Sequence, residues 1–322
     1  MAAGLFSSGG LWVAALVAAI VAPTDAALGA PVMSNRRVPA RVRRVLNVES
    51  GLNDGIATPF VNLFLAGALA SESINAGGVG KAAVDLAGGA AIGAAVGAAG
   101  ALLLTVAVRA GWSATGFRPM AVLALALVSY AVALVADTNG FVAAFLAGMA
   151  FGSLYREAPQ VLGFTEDGGT LLSLLVWFTF GAVMVVPGFE AAGWREVVFA
   201  VLALTLVRMV PVALALVGSG LDRTTVWFVG WFGPRGLASI VFGLIAVDSL
   251  APSDARVVLS TVVVTITLSV LAHGASASPL AGRYADRADR LHTGRPEHGD
   301  APGLSVRDLR SGGRLRSGAG VP

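Results

Sequence analysis

VLNVESGLNDGIATPFVNLFLAGALA, residues 45–70, is long enough to cross a lipid bilayer, yet it carries Glu49 and Asp54. A spanning helix needs about 20 mainly apolar residues. A charge at that depth is unfavourable unless it is paired or hydrated, so each one marks a candidate functional site. Glu49 and Asn53 are four residues apart and share a helix face, as do Ser50 and Asp54. At 3.6 residues per turn all four lie within about 1.5 turns and can line one small cavity. Oxygen donors suit a hard cation, and Na⁺, K⁺ or Li⁺ extends the rule that holds for Ca²⁺ and Mg²⁺.

Outward from this stretch the chain keeps the same character. Of its 322 residues 56% are hydrophobic and 13% charged, against roughly 45–50% and about 25% in a soluble domain, which argues against a soluble enzyme. Nine apolar segments are expected, at 8–33, 45–70, 86–108, 119–136, 138–154, 170–187, 196–218, 225–248 and 256–279, giving an all-α polytopic membrane domain over residues 1–279. The narrowest boundary is at 137–139, where Gly140 favours a tight turn. Residues 11–27 resemble a signal peptide core, but a basic n-region is missing and cleavage would export the Arg-rich loop that follows.

With the C-terminus in the cytoplasm and the N-terminus outside, the inner loops hold Arg36, Arg37, Arg41, Arg43, Arg44, Arg109, Arg118, Arg156 and Arg223. The outer loops hold only Lys81, Arg195 and Arg256. This is the positive-inside distribution. Residues 280–322 carry the entire net charge of +3 and read as a disordered basic cytoplasmic tail, not as a nucleic-acid site. Gly89, Gly93 and Gly97 recur every four residues and predict close helix packing. Cysteine is absent, as are phosphate-binding loops and the HExxH and GxSxG patterns; we expect no cofactor and no enzymatic activity.

Five ionisable residues lie within the segments: Asp25, Glu49, Asp54, Arg208 and Arg235. Three acids and two bases leave one carboxylate without a counter-ion, free to exchange a proton for a cation. Pro23 interrupts segment one near Thr24 and Asp25, and Gly233, Pro234 and Gly236 interrupt segment eight around Arg235. Two broken helices of opposite orientation are the mark of an inverted-repeat transporter, whose breaks sit at the binding site. Arg208 is mid-segment and needs a carboxylate partner; Glu49 is the expected one, leaving Asp54 to titrate. His273 is expected to be a packed or interfacial histidine.

VAPTDAALGAPV (21–32), NVESGLNDGIATPF (47–60), Arg208, GWFGPRGLASIVFGL (230–244) and VLAHGASASPLAGR (270–283), in that order, resemble the bacterial monovalent cation:proton antiporters related to the sodium/proton exchangers. The resemblance covers residues 8–285. It implies a fold of thirteen helices in two inverted six-helix repeats, usually a homodimer in the bacterial inner membrane, with two crossed broken helices in a moving core. It further implies Asp54 as the carboxylate that binds the monovalent cation or the proton, Asn53 beside it, and Ser50 and Thr24 near the ion. Glu49 would pair with Arg208, and Asp25 and Arg235 would sit at the two breaks. In that family an Asn before the Asp goes with electroneutral exchange. This chain has Thr24-Asp25-Ala26 where the family commonly has Thr-Asp-Pro, and its nine segments correspond to the last nine of thirteen, the first four being absent. The alternatives are a non-transporting fragment or membrane assembly partner, in which the charges only hold helices together, and a channel.

Overall fold

The computed structural model describes residues 10–25, 28–72, 78–155, 161, 163–291 and 295–299, and all the regular structure among them is helical. Segment one is divided: α1 (Gly10–Ile20) is followed by an irregular stretch and a single turn, α2 (Ala30–Met33). Then come α3 (Ala40–Glu72), α4 (Gly78–Arg109), α5 (Arg118–Val135) and α6 (Gly140–Leu154). Next, α7 (Gly163–Thr179) passes through a π turn, Phe180–Met184, into α8 (Val185–Ala191). They are followed by α9 (Trp194–Leu204), α10 (Leu206–Ala215), α11 (Arg223–Trp231), α12 (Leu237–Ser249) and α13 (Pro252–Ala288).

Among the described residues, five stretches are long and apolar enough to cross a membrane, and shorter apolar helices occur at Gly10–Ile20, Ile56–Leu69, Gly140–Leu154 and Leu237–Ser249. Each overlaps a different one of the nine expected segments. The protein is a multi-pass membrane protein, and large apolar side chains such as Leu102, Leu103, Leu171 and Phe178 stand exposed on its outer surface, where lipid is the matching solvent.

Three local details differ from expectation. The turn at 137–139 is made by Asp137, at φ 52°, while Asn139 caps α6 by accepting the Val142 N–H at 3.0 Å. Gly140 is instead the first residue of α6, and a Cβ there would stand 2.8 Å from the Tyr130 ring. Segment seven is two helices because Thr205 turns its hydroxyl back onto the Val201 carbonyl at 2.6 Å, a bond that bends helices. Finally, the boundary expected between 279 and 280 lies inside α13, which continues to Ala288. Ala277, Ala281, Tyr284 and Ala288 form a buried stripe against Val32, Val38, Val42, Leu46 and Phe228, so burial keeps the helix going past Pro279. Residues 295–299 pack as well: Glu297 is fully buried and accepts the Asp222 N–H at 2.6 Å and the Thr225 hydroxyl at 2.9 Å. Residues 300–322 and Arg156 lie outside the described residues.

Asp222 begins α11 as its N-cap, and the backbone N–H of Thr224 holds its carboxyl below the usual carboxylate range. The main core joins α1, α3, α12 and α13, with Leu16, Val17, Ile20, Ile240, Val262 and Ile266 fully buried.

The glycine repeat on α4 packs against α6. Gly89, Gly93 and Gly97 meet the backbones of Asn139, Ala143 and Ala147, and a Cβ on Gly93 would stand 2.8 Å from the Ala143 Cα. Gly93→Val is therefore expected to force the helices apart and destabilise the protein by about 1–3 kcal/mol. Ala95→Val, on the exposed side of α4, should leave stability unchanged. Thermal unfolding in detergent compares the two; equal midpoints would show that this packing is not close.

Candidate functional site

Proline decides where the two interruptions fall. Pro23 has no N–H to donate; α1 ends at Ile20, three residues before it, and the chain follows an irregular path through Asp25. Pro234 lies in the irregular run Phe232–Gly236 between α11 and α12. The two irregular runs cross and bond to each other, the Asp25 N–H donating to the Pro234 carbonyl at 2.7 Å.

Each break carries a charge that serves the other's helix end. The Asp25 carboxylate accepts the Leu237 N–H at 3.0 Å, placing a negative charge at the N-terminus of α12. Arg235 donates to the Ala22 carbonyl at 2.6 Å and to the Pro23 carbonyl at 3.3 Å, placing a positive charge at the C-terminus of α1. Both placements match the sign of the helix dipole and satisfy groups that a helix end leaves open. The approach is close: a Cβ on Gly236 would stand 2.7 Å from the Asp25 Cβ.

From α10, Arg208 holds Glu49 of α3 through both terminal nitrogens, Nη1 to Oε1 and Nη2 to Oε2, the latter at 2.7 Å. The Arg208 side chain is 9% exposed and that of Glu49 28%. A Cβ on Gly233 would stand 2.8 Å from the Arg208 Cζ, so the absence of a side chain there admits the guanidinium.

One turn along α3, Ser50 and Asn53 grip the first break. The Thr24 hydroxyl lies 3.1 Å from the Ser50 hydroxyl and accepts from the Asn53 Nδ2 at 2.6 Å. The Asn53 Oδ1 accepts the Thr24 N–H at 3.2 Å, which uses one of its lone pairs and leaves the other. Thr24 and Ser50 are buried.

Asp54 differs from the other carboxylates. Its carboxylate forms no hydrogen bond or ion pair among the described residues; its backbone carbonyl accepts the Thr58 hydroxyl at 2.9 Å. Thus Glu49 is ion-paired, Asp25 caps a helix, and Asp54 stands unpaired beside the crossing. Among the described residues no group of three His, Asp or Glu side chains is placed to hold a metal. A cation here would take mixed donors: a carboxylate, hydroxyls and an amide.

Ser269 joins the crossing although it is not among the residues the sequence singles out. Its hydroxyl accepts the Arg235 N–H at 2.7 Å and lies 3.1 Å from the His273 Nδ1. The signal was a serine and a histidine four residues apart in the apolar last segment, one face of one helix.

Two charge-compensated helix breaks bonded to each other, beside a carboxylate that has no partner among the described residues, place the fold among membrane proteins built on interrupted helices. Residues 1–282 match the family model described as sodium/hydrogen exchanger, transmembrane, and the chain belongs to that family. It is similar to the K(+)/H(+) antiporter NhaP of Alkalimonas amylolytica, at 28% identity over 271 residues that cover 83% of this chain and 46% of the relative. It is also similar to the K(+)/H(+) antiporter NhaP2 of Shewanella sp. (strain ANA-3), at 27% over 266 residues, covering 81% and 45%. The chain spans about half the length of the curated relatives it matches. In fold it is similar to the sodium proton antiporter MjNhaP1 from Methanocaldococcus jannaschii, solved at pH 8, with a TM-score of 0.70 over 88% of this chain and 74% of that one, at 19% identity.

Proposed function

We propose that this protein exchanges a monovalent cation, Na⁺ or K⁺, for protons across a bacterial inner membrane, with Asp54 as the group both compete for. The observation that carries this reading is the unpaired Asp54 carboxylate beside the crossed breaks. A carboxylate engaged by neither a base nor a helix end can hold a proton or a cation. When it holds a cation, the Thr24 and Ser50 hydroxyls and the remaining lone pair of the Asn53 carbonyl replace part of the lost hydration.

Charge counting supports one-for-one exchange. Glu49 and Asp25 are matched by Arg208 and Arg235, so the site is neutral when Asp54 carries either a proton or one monovalent cation. A neutral site avoids the penalty of moving a bare charge through a low-dielectric barrier. The empty, ionised site does not avoid it. Only loaded sites therefore alternate between the two faces, which couples the fluxes. The arginine-rich loops orient the chain with its N-terminus outside and its C-terminus in the cytoplasm. The cation species follows from ligand distances that residue types do not set; relatives are named for K⁺/H⁺ exchange and the similar structure for sodium.

Everted membrane vesicles loaded with a pH-sensitive dye test the proposal. At least one of Na⁺, K⁺ and Li⁺ should dequench the dye with a saturable rate, unchanged when a permeant anion collapses the membrane potential. A chain that inserts and dequenches with none of them overturns the reading and leaves the assembly-partner alternative.

A further inference from the structure

We propose that Ser269 and His273 of α13 are positioning residues for ion binding: they bridge the second break and fix the Arg235 backbone that holds the crossing together. The inference rests on the exchange reading and adds to it a site on the last helix.

A five-residue interruption leaves backbone groups that must find partners inside the protein. Pro234 has no N–H, and its carbonyl takes the Asp25 N–H. The Trp231 carbonyl ends α11 and accepts the Gly233 N–H at 2.8 Å; the His273 Nε2 stands 3.0 Å from the same oxygen. On the far side of the break the Arg235 N–H meets the Ser269 hydroxyl at 2.7 Å. Ser269 and His273 are 0% and 1% exposed, so water does not substitute for either. One turn of α13 thus serves both sides of the break.

Donor rules orient the chain of bonds. A backbone N–H can only donate, so the Ser269 oxygen accepts from Arg235, and its own proton is available to His273 Nδ1, 3.1 Å away. Nδ1 then accepts, and the ring carries its proton on Nε2, directed at the Trp231 carbonyl. The Ser269 carbonyl also lies 2.9 Å from Nδ1, so that nitrogen faces two oxygens, whereas Nε2 faces the Trp231 carbonyl, which can bond the ring only through a proton on Nε2. The opposite tautomer sets the Nε2 lone pair against the Trp231 oxygen. The bonds therefore run Arg235 N–H to Ser269 to His273 to Trp231 O, from the start of one half-helix to the end of the other. Trp231 also donates its indole N–H to Ser276 at 2.9 Å on the same helix, and its ring lies 5.0 Å from the His273 ring.

The consequence for ions passes through Arg235. Its backbone is set by Ser269 and its guanidinium holds the Ala22 and Pro23 carbonyls, the residues just before Thr24. Loosening the Ser269–His273 bridge shifts Arg235, then Thr24, and weakens the cation's hydroxyl ligands without touching Asp54.

The test compares His273→Gln, His273→Asn, His273→Ala and Ser269→Ala with the wild type, by vesicle exchange and by hydrogen exchange of the 231–237 amides. A Gln amide nitrogen falls where Nε2 lies and keeps the donor to Trp231; an Asn amide reaches only the Nδ1 position. His273→Ala, His273→Asn and Ser269→Ala should raise the half-saturating cation concentration roughly tenfold, the scale of one buried hydrogen bond, with faster exchange of the Arg235 amide. His273→Gln should restore both to wild type. The proposal is overturned if Ala and Asn match the wild type in both readouts, or if Gln is no better than Ala. If the wild type itself exchanges no cation, the exchange reading fails alone, and amide protection still decides the bridge. Should the Ala variant not insert, Gln against Asn carries the comparison.

Discussion

An Asp54→Asn protein should insert at wild-type levels and exchange no cation, its dequenching rate falling at least about a hundredfold, equivalent to about 2.7 kcal/mol of lost stabilisation or more. Asn matches Asp in shape but can neither release a proton nor carry the charge that holds a cation. The structure also makes the variant a clean one. Because the Asp54 carboxylate has no ion pair or hydrogen bond among the described residues, neutralising it orphans no buried base, and stability should change by no more than about 0.5 kcal/mol. Asp54→Glu keeps a titratable group on a longer arm and should retain part of the exchange. Full exchange by a well-inserted Asp54→Asn protein would remove Asp54 from the mechanism, and attention would pass to Asp25, the other carboxylate at the crossing.

The second large effect belongs to the Glu49–Arg208 pair and is read in stability. Arg208 is nine-tenths buried and Glu49 holds both its terminal nitrogens. Glu49→Gln leaves a guanidinium in apolar surroundings without its counter-charge, at a cost of about 3–5 kcal/mol. Arg208→Gln should cost less, because Glu49 keeps 28% of its side chain open to hydration. The double variant Glu49→Gln, Arg208→Gln removes both charges together and should recover much of the loss, so the two effects will not add. Unfolding midpoints of the four proteins in one detergent measure the coupling. Strictly additive losses would show that the two side chains do not act as a pair.

Much of the architecture was legible because a bilayer imposes simple rules. Runs of apolar residues had to be helical, since lipid offers backbone groups no partners, and the described runs are, those of segments one, seven and eight in two pieces. Pro23 and Pro234 marked both interruptions, because a missing N–H acts locally whatever surrounds it. A buried guanidinium demanded a carboxylate, and few were at hand. The end of the last helix was harder to see. After Leu280 the chain becomes polar and arginine-rich, which resembles a tail, yet Ala281, Tyr284 and Ala288 keep a helical stripe that only the neighbouring Val38, Val42 and Phe228 make worth burying. Thr205 was equally opaque, since a threonine in an apolar helix bends it only if its hydroxyl turns back on the preceding turn.

By itself, then, the sequence determined what short-range physics governs: nine apolar segments, their likeness to a transporter family, where proline interrupts two of them, and an odd carboxylate among five ionisable residues within the segments. Only the tertiary structure decided which end each charge serves. That Asp25 caps α12 and Arg235 caps α1 depends on two runs about two hundred residues apart crossing within hydrogen-bond reach. That Asp54 has no partner among the described residues, and that Ser269 and His273 span the second break, follow from the same crossing. Residue types show which groups need partners. Partner choice depends on distances across the fold, and these are set by packing.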